Sequence, residues 1–229
     1  MNILTVIPAR NGSKSIPKKN IQLLNGKSLI QYSIEYSLKC PLVAHTIVST
    51  DSKEIAEIAR ECGAKVPFIR PGELAQDDTP DYPVIRHALD TLEKLNNETI
   101  DTIVLLRPTS PLRPIGLIER GLDLLNRLSE ATSVRSVTIS KEHPYRQWML
   151  SGEYMTGYET QAFESYNLPR QKLSKTYFQT GDLEIVRRCT LLDGSVSGNK
   201  VVPLIIERSH MLDIDESSDL KRAEKIINQ

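Results

Sequence analysis

Arg10, Lys14, Lys18 and Lys19 fall in one short loop around Gly12 and Ser13, directly after the aliphatic run Ile3-Leu4-Thr5-Val6-Ile7. Four cationic side chains, with backbone N–H groups freed near a glycine, suit a polyphosphate. The same composition also describes a solvated basic turn. Neither G-x-x-x-x-G-K-[ST] nor G-x-G-x-x-G is present, so a P-loop and a dinucleotide fingerprint are excluded. At the other end of the chain Asp213 and Asp215 flank Ile214. In an extended segment both carboxylates project to one side and the isoleucine to the other. Such a pair suits Mg²⁺, which takes one or two protein carboxylates and fills its shell with water and phosphate oxygens. Asp215 is equally placed to cap a following helix and favour its dipole. The four histidines have no second ligand at metal spacing, and no G-x-S-x-G elbow supports nucleophilic hydrolysis.

The elements that must position these groups read as alternating strand and helix. Residues 3–7 form a buried strand stopped by Pro8. A turn at Asn25-Gly26 precedes a helix from Ser28 to Leu38, followed by a strand over Thr46–Thr50. A helix capped by Asp51 or Ser52 runs to about Cys62, and Lys65–Ile69 is expected as a third strand. This order is the signature of parallel βαβ winding. Residues 70–81 have no periodicity and read as a long surface loop, of a kind that tends to carry function, a tolerated insertion being the alternative. A helix over 82–96 and a central apolar strand over Asp101–Leu106 follow, the latter breaking into the Pro- and Arg-rich loop 107–114. In an open parallel sheet ligands bind beyond the carboxyl ends of strands, where both basic loops begin. After a helix over 115–129 and a strand over 133–140, the pattern dissolves from 141 to about 175 into an excursion expected to be a β-arm. Strands return over 176–188 and 200–207, and a helix closes the chain.

With 229 residues the chain suits a single α/β domain spanning 1–229 with that arm inserted. Lys plus Arg and Asp plus Glu both number 29, which argues against a nucleic-acid partner. Cys40, Cys62 and Cys189 form no C-x-x-C pair and read as reduced thiols. No apolar run approaches a membrane span and no leader pattern opens the chain. A cytoplasmic protein with no membrane partner is expected.

Five stretches carry a resemblance, in order along nearly the whole chain: IPARNGSKSIPKKN, RPGELAQDDT, LLRPTSPLR, NLPRQ and LDIDESSDL. Together they resemble the cytidylyltransferases that activate nine-carbon acidic sugars, the CMP-N-acylneuraminate synthetases and their relatives for legionaminic acid. The resemblance implies a Rossmann-like nucleotidyltransferase fold with a mainly parallel sheet, CTP as cosubstrate, Mg²⁺, and a homodimer in which the arm at 141–175 reaches the neighbour. It places Arg10, Ser13 and Lys19 at the CTP phosphates, Asn20 at a nucleotide-binding position and Arg70 near the cytosine. Thr79 and Asp81 fall in the loop that reads the base, Asp213 and Asp215 on the metal, and Arg170 and Gln171 on the sugar. Arg10, Lys19, Asp213 and Asp215 form the implied catalytic set. Two departures stand out: Arg107 replaces the family's glutamine facing the sugar, and Thr180-Gly181-Asp182-Leu183 replaces N-G-A-I. A fixed guanidinium at 107 points to an acid decorated differently from N-acetylneuraminate, the alternative being an ion pair with an acid such as Asp182. Two further readings stay open: a same-fold nucleotidylyltransferase using another nucleotide or a Kdo-like acid, and a non-catalytic nucleotide sensor.

Overall fold

The computed structural model describes residues 1–159 and 164–228. Its strands are β1 (Ile3–Pro8), β2 (Leu23–Leu24), β3 (Lys27–Ser28), β4 (His45–Ser49), β5 (Thr102–Leu105), β6 (Ser133–Ile139), β7 (Trp148–Ser151), β8 (Tyr154–Gly157), β9 (Tyr177–Arg187) and β10 (Val201–Ile205). The α-helices are α1 (Leu29–Leu38), α2 (Lys53–Glu61), α3 (Asp81–Asn96), α4 (Leu117–Arg127), α5 (Arg188–Leu192) and α6 (Ser217–Ile227). Among the described residues the main sheet has the order β10-β6-β9-β5-β1-β4, and every pairing is parallel except those of β9. From β1 the chain places β4 on one side and β5 on the other, so the strand order reverses at β1.

Period-two alternation divides the strands between two layers. Ile3 and Ile7 of β1 and Val104 of β5 pack with α1, α2 and α4, whereas Leu4, Val6, Ile103 and Leu105 pack with α3 and α5. Each fully buried aliphatic side chain contributes about 1.5–3 kcal/mol. A third cluster joins Ile16, Leu24, Leu29, Leu212, Ile214 and Ala223, and it docks the C-terminal segment against the β2–β3 hairpin. That hairpin turns through Asn25 and Gly26, both at positive φ (48° and 76°), as the primed two-residue turn requires.

The expected strand over 65–69 does not form. Lys65 alone bridges to Ile47 of β4, because Pro67 removes the next ladder donor. The segment still follows the sheet edge, and the Arg70 amide bonds to the Thr50 carbonyl at 2.7 Å. The excursion after β6 contains the antiparallel hairpin β7–β8, outside the main sheet; its residues 160–163 lie outside the described ones. In β9 the pairing to β6 jumps from Arg135↔Glu184 to Val137↔Gln179, so Thr180–Leu183 bulges from the ladder. The buried Ser136 hydroxyl repairs the bulge, accepting from the Leu183 amide at 2.9 Å and the Thr180 hydroxyl at 2.8 Å. Bulges of this kind re-aim side chains beside functional sites.

Candidate active site

Beyond the carboxyl ends of β1 and β5, where the strand order reverses, lies a cleft of about 500 Å³. This is the position expected for a ligand in an open α/β sheet. Arg10, Ser13, Lys19, Asn20, Arg70, Thr79, Asp81 and Arg107, all named from the sequence, line it. Its phosphate side is built by the loop after β1. The Asn20 side chain donates from Nδ2 to the Arg10 carbonyl at 2.8 Å and ties the two ends of that loop together. Lys18 adopts the left-handed conformation (φ 51°), uncommon for a residue with a Cβ, and introduces the 3₁₀ turn Lys19–Ile21. Lys19 is thereby turned inward, where its Nζ lies 2.9 Å from Asp215 Oδ1.

Arg70 differs from the loop cations. It is 5% exposed, and neither Nε nor one terminal nitrogen has a hydrogen-bond partner. Burial pulls its pKa down, and Arg10 nearby adds to this, while Asp51 acts in the opposite direction. Buried donors left unpaired are costly, so this guanidinium calls for an acceptor beyond the described residues, from solvent or a ligand.

The wall after Arg70 is the loop 71–80. A 3₁₀ turn at Gly72–Leu74 and bonds from the Gln76 amide to the Thr79 hydroxyl (3.1 Å) and from Gln76 Nε2 to the Gly72 carbonyl (2.6 Å) fold it on itself. At its tip Asp77 receives hydrogen bonds from both Arg10 and Lys14. Lys14, then Arg10, hold its carboxyl below the usual range. The sequence reading missed Asp77; the signal available was an acidic pair, Asp77-Asp78, in a loop that had to face a basic one.

Arg107 is fixed between two acids, Glu184 on β9 and Asp81 at the start of α3, and Arg135 closes on the other oxygen of Glu184 at 2.9 Å. Its partners are therefore not Asp182. Arg113, in the same loop, is structural: it donates to the Asp182 and Arg107 carbonyls and to the Ser33 hydroxyl, and lies over the Tyr36 ring. Burial lowers its pKa to about 10, which leaves it charged at neutral pH. Asp182 is 1% exposed with Oδ1 unpaired, and burial pushes its pKa up.

Asp213 and Asp215 are both exposed and Ile214 between them is fully buried, so the alternation holds. The Ile214 amide bonds to the Thr109 carbonyl at 2.8 Å, which anchors the pair beside a cleft residue. The cap of α6 is Glu216, in a capping box with Asp219, and not Asp215. On the bulge, a Cβ at Gly181 would stand 2.7 Å from Ser110 Oγ, so a glycine lets Ser110 approach β9, while Asp213 Oδ2 at 3.4 Å would be in ordinary contact. Arg170 and Gln171 are not brought to this cleft. They lie on a 3₁₀ turn of the arm, where Arg170 lines a separate cavity of about 690 Å³ with Lys141, Arg146 and Lys175.

A reversal-point cleft with loop cations and a buried unpaired guanidinium is the arrangement of an α/β nucleotidyltransferase. Residues 4–160 match the family described as Cytidylyltransferase, a span that includes every residue lining the cleft. The chain belongs to that family and is an enzyme that uses CTP. It is 31% identical over 228 residues to "Post-translational flagellin modification protein B" of Campylobacter coli, covering 99% of this chain and 95% of the relative. It is also 31% identical over 227 residues to "CMP-N,N'-diacetyllegionaminic acid synthase" of Campylobacter jejuni, again covering 99% and 95%. Among solved structures, CMP:2-keto-3-deoxy-manno-octonic acid synthetase complexed with CTP superposes with a TM-score of 0.72 at 17% identity, over 100% of this chain and 99% of that one. That likeness speaks to the fold, which is the α/β fold read from the motifs.

Proposed function

We propose that the protein transfers CMP from CTP to the anomeric hydroxyl of a nonulosonic acid of the N-acylneuraminate or legionaminate type, releasing pyrophosphate. The observation that carries the nucleotide half is Arg70, a buried guanidinium with unpaired donors in the same cleft as Arg10 and Lys19. A cytosine carbonyl accepting from it would satisfy those donors. The sugar half rests on the legionaminic acid synthase named above.

In the transfer, the hydroxyl oxygen bonds to the α-phosphorus, the bond to the pyrophosphate oxygen breaks, and the hydroxyl proton passes to solvent water. Such chemistry asks for in-line positioning and charge neutralisation. Arg10 and Lys19 stabilise the charge growing on pyrophosphate, while Ser13 and Asn20 shape the loop around it. Thr79 and Asp81 border the base. Asp213 and Asp215 would hold Mg²⁺. Both are exposed on one side of their segment, which suits an ion that takes only one or two protein carboxylates. When bound, that ion supplies charge neutralisation at the phosphates and polarises the attacking hydroxyl.

Arg107 presents a guanidinium of fixed orientation to the sugar side, and Arg170 and Gln171 on the arm serve the cleft of a second copy. A homodimer through the arm is supported by exposed Leu150, Tyr154 and Met155 on β7–β8 with Phe178 at the start of β9. We read the chain as one domain over 1–229, working in the cytoplasm, in keeping with three free thiols and a nucleotide cosubstrate.

Pyrophosphate release from four nucleoside triphosphates, each with N-acetylneuraminate, N,N'-diacetyllegionaminate and Kdo, tests the assignment. Turnover with CTP and a nonulosonic acid is expected, dependent on Mg²⁺. A purine preference, or turnover with Kdo alone, overturns it. Sedimentation equilibrium on the same preparation should give a dimer.

A further inference from the structure

Asp77 is held by Arg10, which faces the triphosphate in the proposed reaction, and by Lys14, a second cation of the same loop. Its Oδ1 is bonded by Arg10 and its Oδ2 lies 2.6 Å from Lys14 Nζ. Both cations line the cleft, and so does Asp77. The carboxylate is presented by a loop that closes on its own bonds, with Gln76 tied to Gly72 and Thr79, and this loop continues directly from the buried Arg70. We propose that Asp77 is an internal competitor for the phosphate subsite, which a triphosphate must displace and which expels pyrophosphate after transfer.

A carboxylate and a phosphate oxygen accept the same charge-assisted bonds from Arg and Lys. A carboxylate tethered a few ångströms away acts at high effective concentration and shortens the residence of any anion that takes its place. CTP brings several phosphate charges and a base for Arg70, so it wins the exchange. Pyrophosphate has no base, and inorganic phosphate is smaller still, so both lose ground to Asp77. The residue thereby sets selectivity for a whole nucleotide over its fragments and speeds departure of the product. Asp78, exposed and among the described residues without an ion pair, has no such part and serves as the matched charge control.

This inference rests on the reading of the cleft as a CTP site. The test is calorimetric titration of inorganic pyrophosphate, with stopped-flow measurement of its release, into wild type, Asp77→Asn, Asp77→Glu and Asp78→Asn. Asp77→Asn should bind pyrophosphate about three- to tenfold more tightly, the scale of one or two exposed ion pairs. Its release rate should fall by a similar factor, and the gain should be smaller for CTP than for pyrophosphate. Asp77→Glu should restore competition, and Asp78→Asn should match wild type. Unchanged or weaker pyrophosphate binding by Asp77→Asn overturns the proposal, because a residue that merely held the loop in place would weaken binding. The same tightening in Asp78→Asn also overturns it, by reducing the effect to net charge. If wild type binds neither CTP nor pyrophosphate, the CTP reading fails and this inference with it.

Discussion

At the scale of single residues, Asp215 separates rate from stability. Its carboxylate faces Lys19 and is exposed, while Glu216 and Asp219 cap α6. Asp215→Asn should therefore leave the melting temperature within about 2 °C of wild type, since it removes no packing and no cap. The rate should fall by about a hundredfold or more, the equivalent of several kcal/mol of lost charge stabilisation at the phosphates. Asp213→Asn should behave alike. Melting curves and initial rates on one preparation decide it: a stability loss of about 1 kcal/mol with activity kept would return Asp215 to the role of helix cap. Arg107 teaches the complementary lesson. A guanidinium with both forks held by acids has less freedom to follow a sugar than its position at a strand exit suggests, so it offers a fixed charge and not an adaptable donor.

The bulge of β9 packs closely against the loop after β5. Gly181 has Ser110 Oγ 2.7 Å from where a methyl carbon would stand, with Asp213 Oδ2 at ordinary contact distance, 3.4 Å. Gly181→Ala should push Ser110 Oγ aside and, through the neighbouring Thr109 carbonyl that holds the Ile214 amide, lower kcat by about tenfold. Circular dichroism should be unchanged, because the bulge lies outside the ladder; wild-type kcat in the alanine variant would show that the close approach is idle. The same element marks where the sequence stopped being informative. The β1 loop was legible because its cations follow a strand directly, and the Asp213–Asp215 alternation because period two is local. The strand expected at 65–69 failed because Pro67 breaks a ladder whose apolar pattern is otherwise sound. Asp77 and the partners of Arg107 were hidden for a different reason. Loops 10–19 and 70–81 meet only through the tertiary fold, and the ladder pairing of Leu105 with Glu184, two residues beyond Asp182 on the same strand, brings that carboxylate within reach of residue 107.

Across the whole molecule the position of β9 sets an order of events. β5 and β6 follow one another in the chain but never pair; β9, with the arm between it and β6, fills the gap and is bonded to both. As the chain leaves the ribosome, β1, β4 and β5 can assemble early, yet one edge of β5 and one of β6 stay open until residue 187 has emerged. Open apolar edges are templates for pairing with another chain, and sequence-distant pairings close slowly. A nascent chain stalled after the arm is thus the most aggregation-prone species this protein passes through. A fragment comprising residues 1–175 should sediment as aggregate at micromolar concentration and give no cooperative melt, and a soluble, cooperatively melting fragment would show that the sheet does not wait for β9. Synthesis pace between β6 and β9, a stretch whose described residues add no strand to the main sheet, then bears on yield through the time those edges stay open.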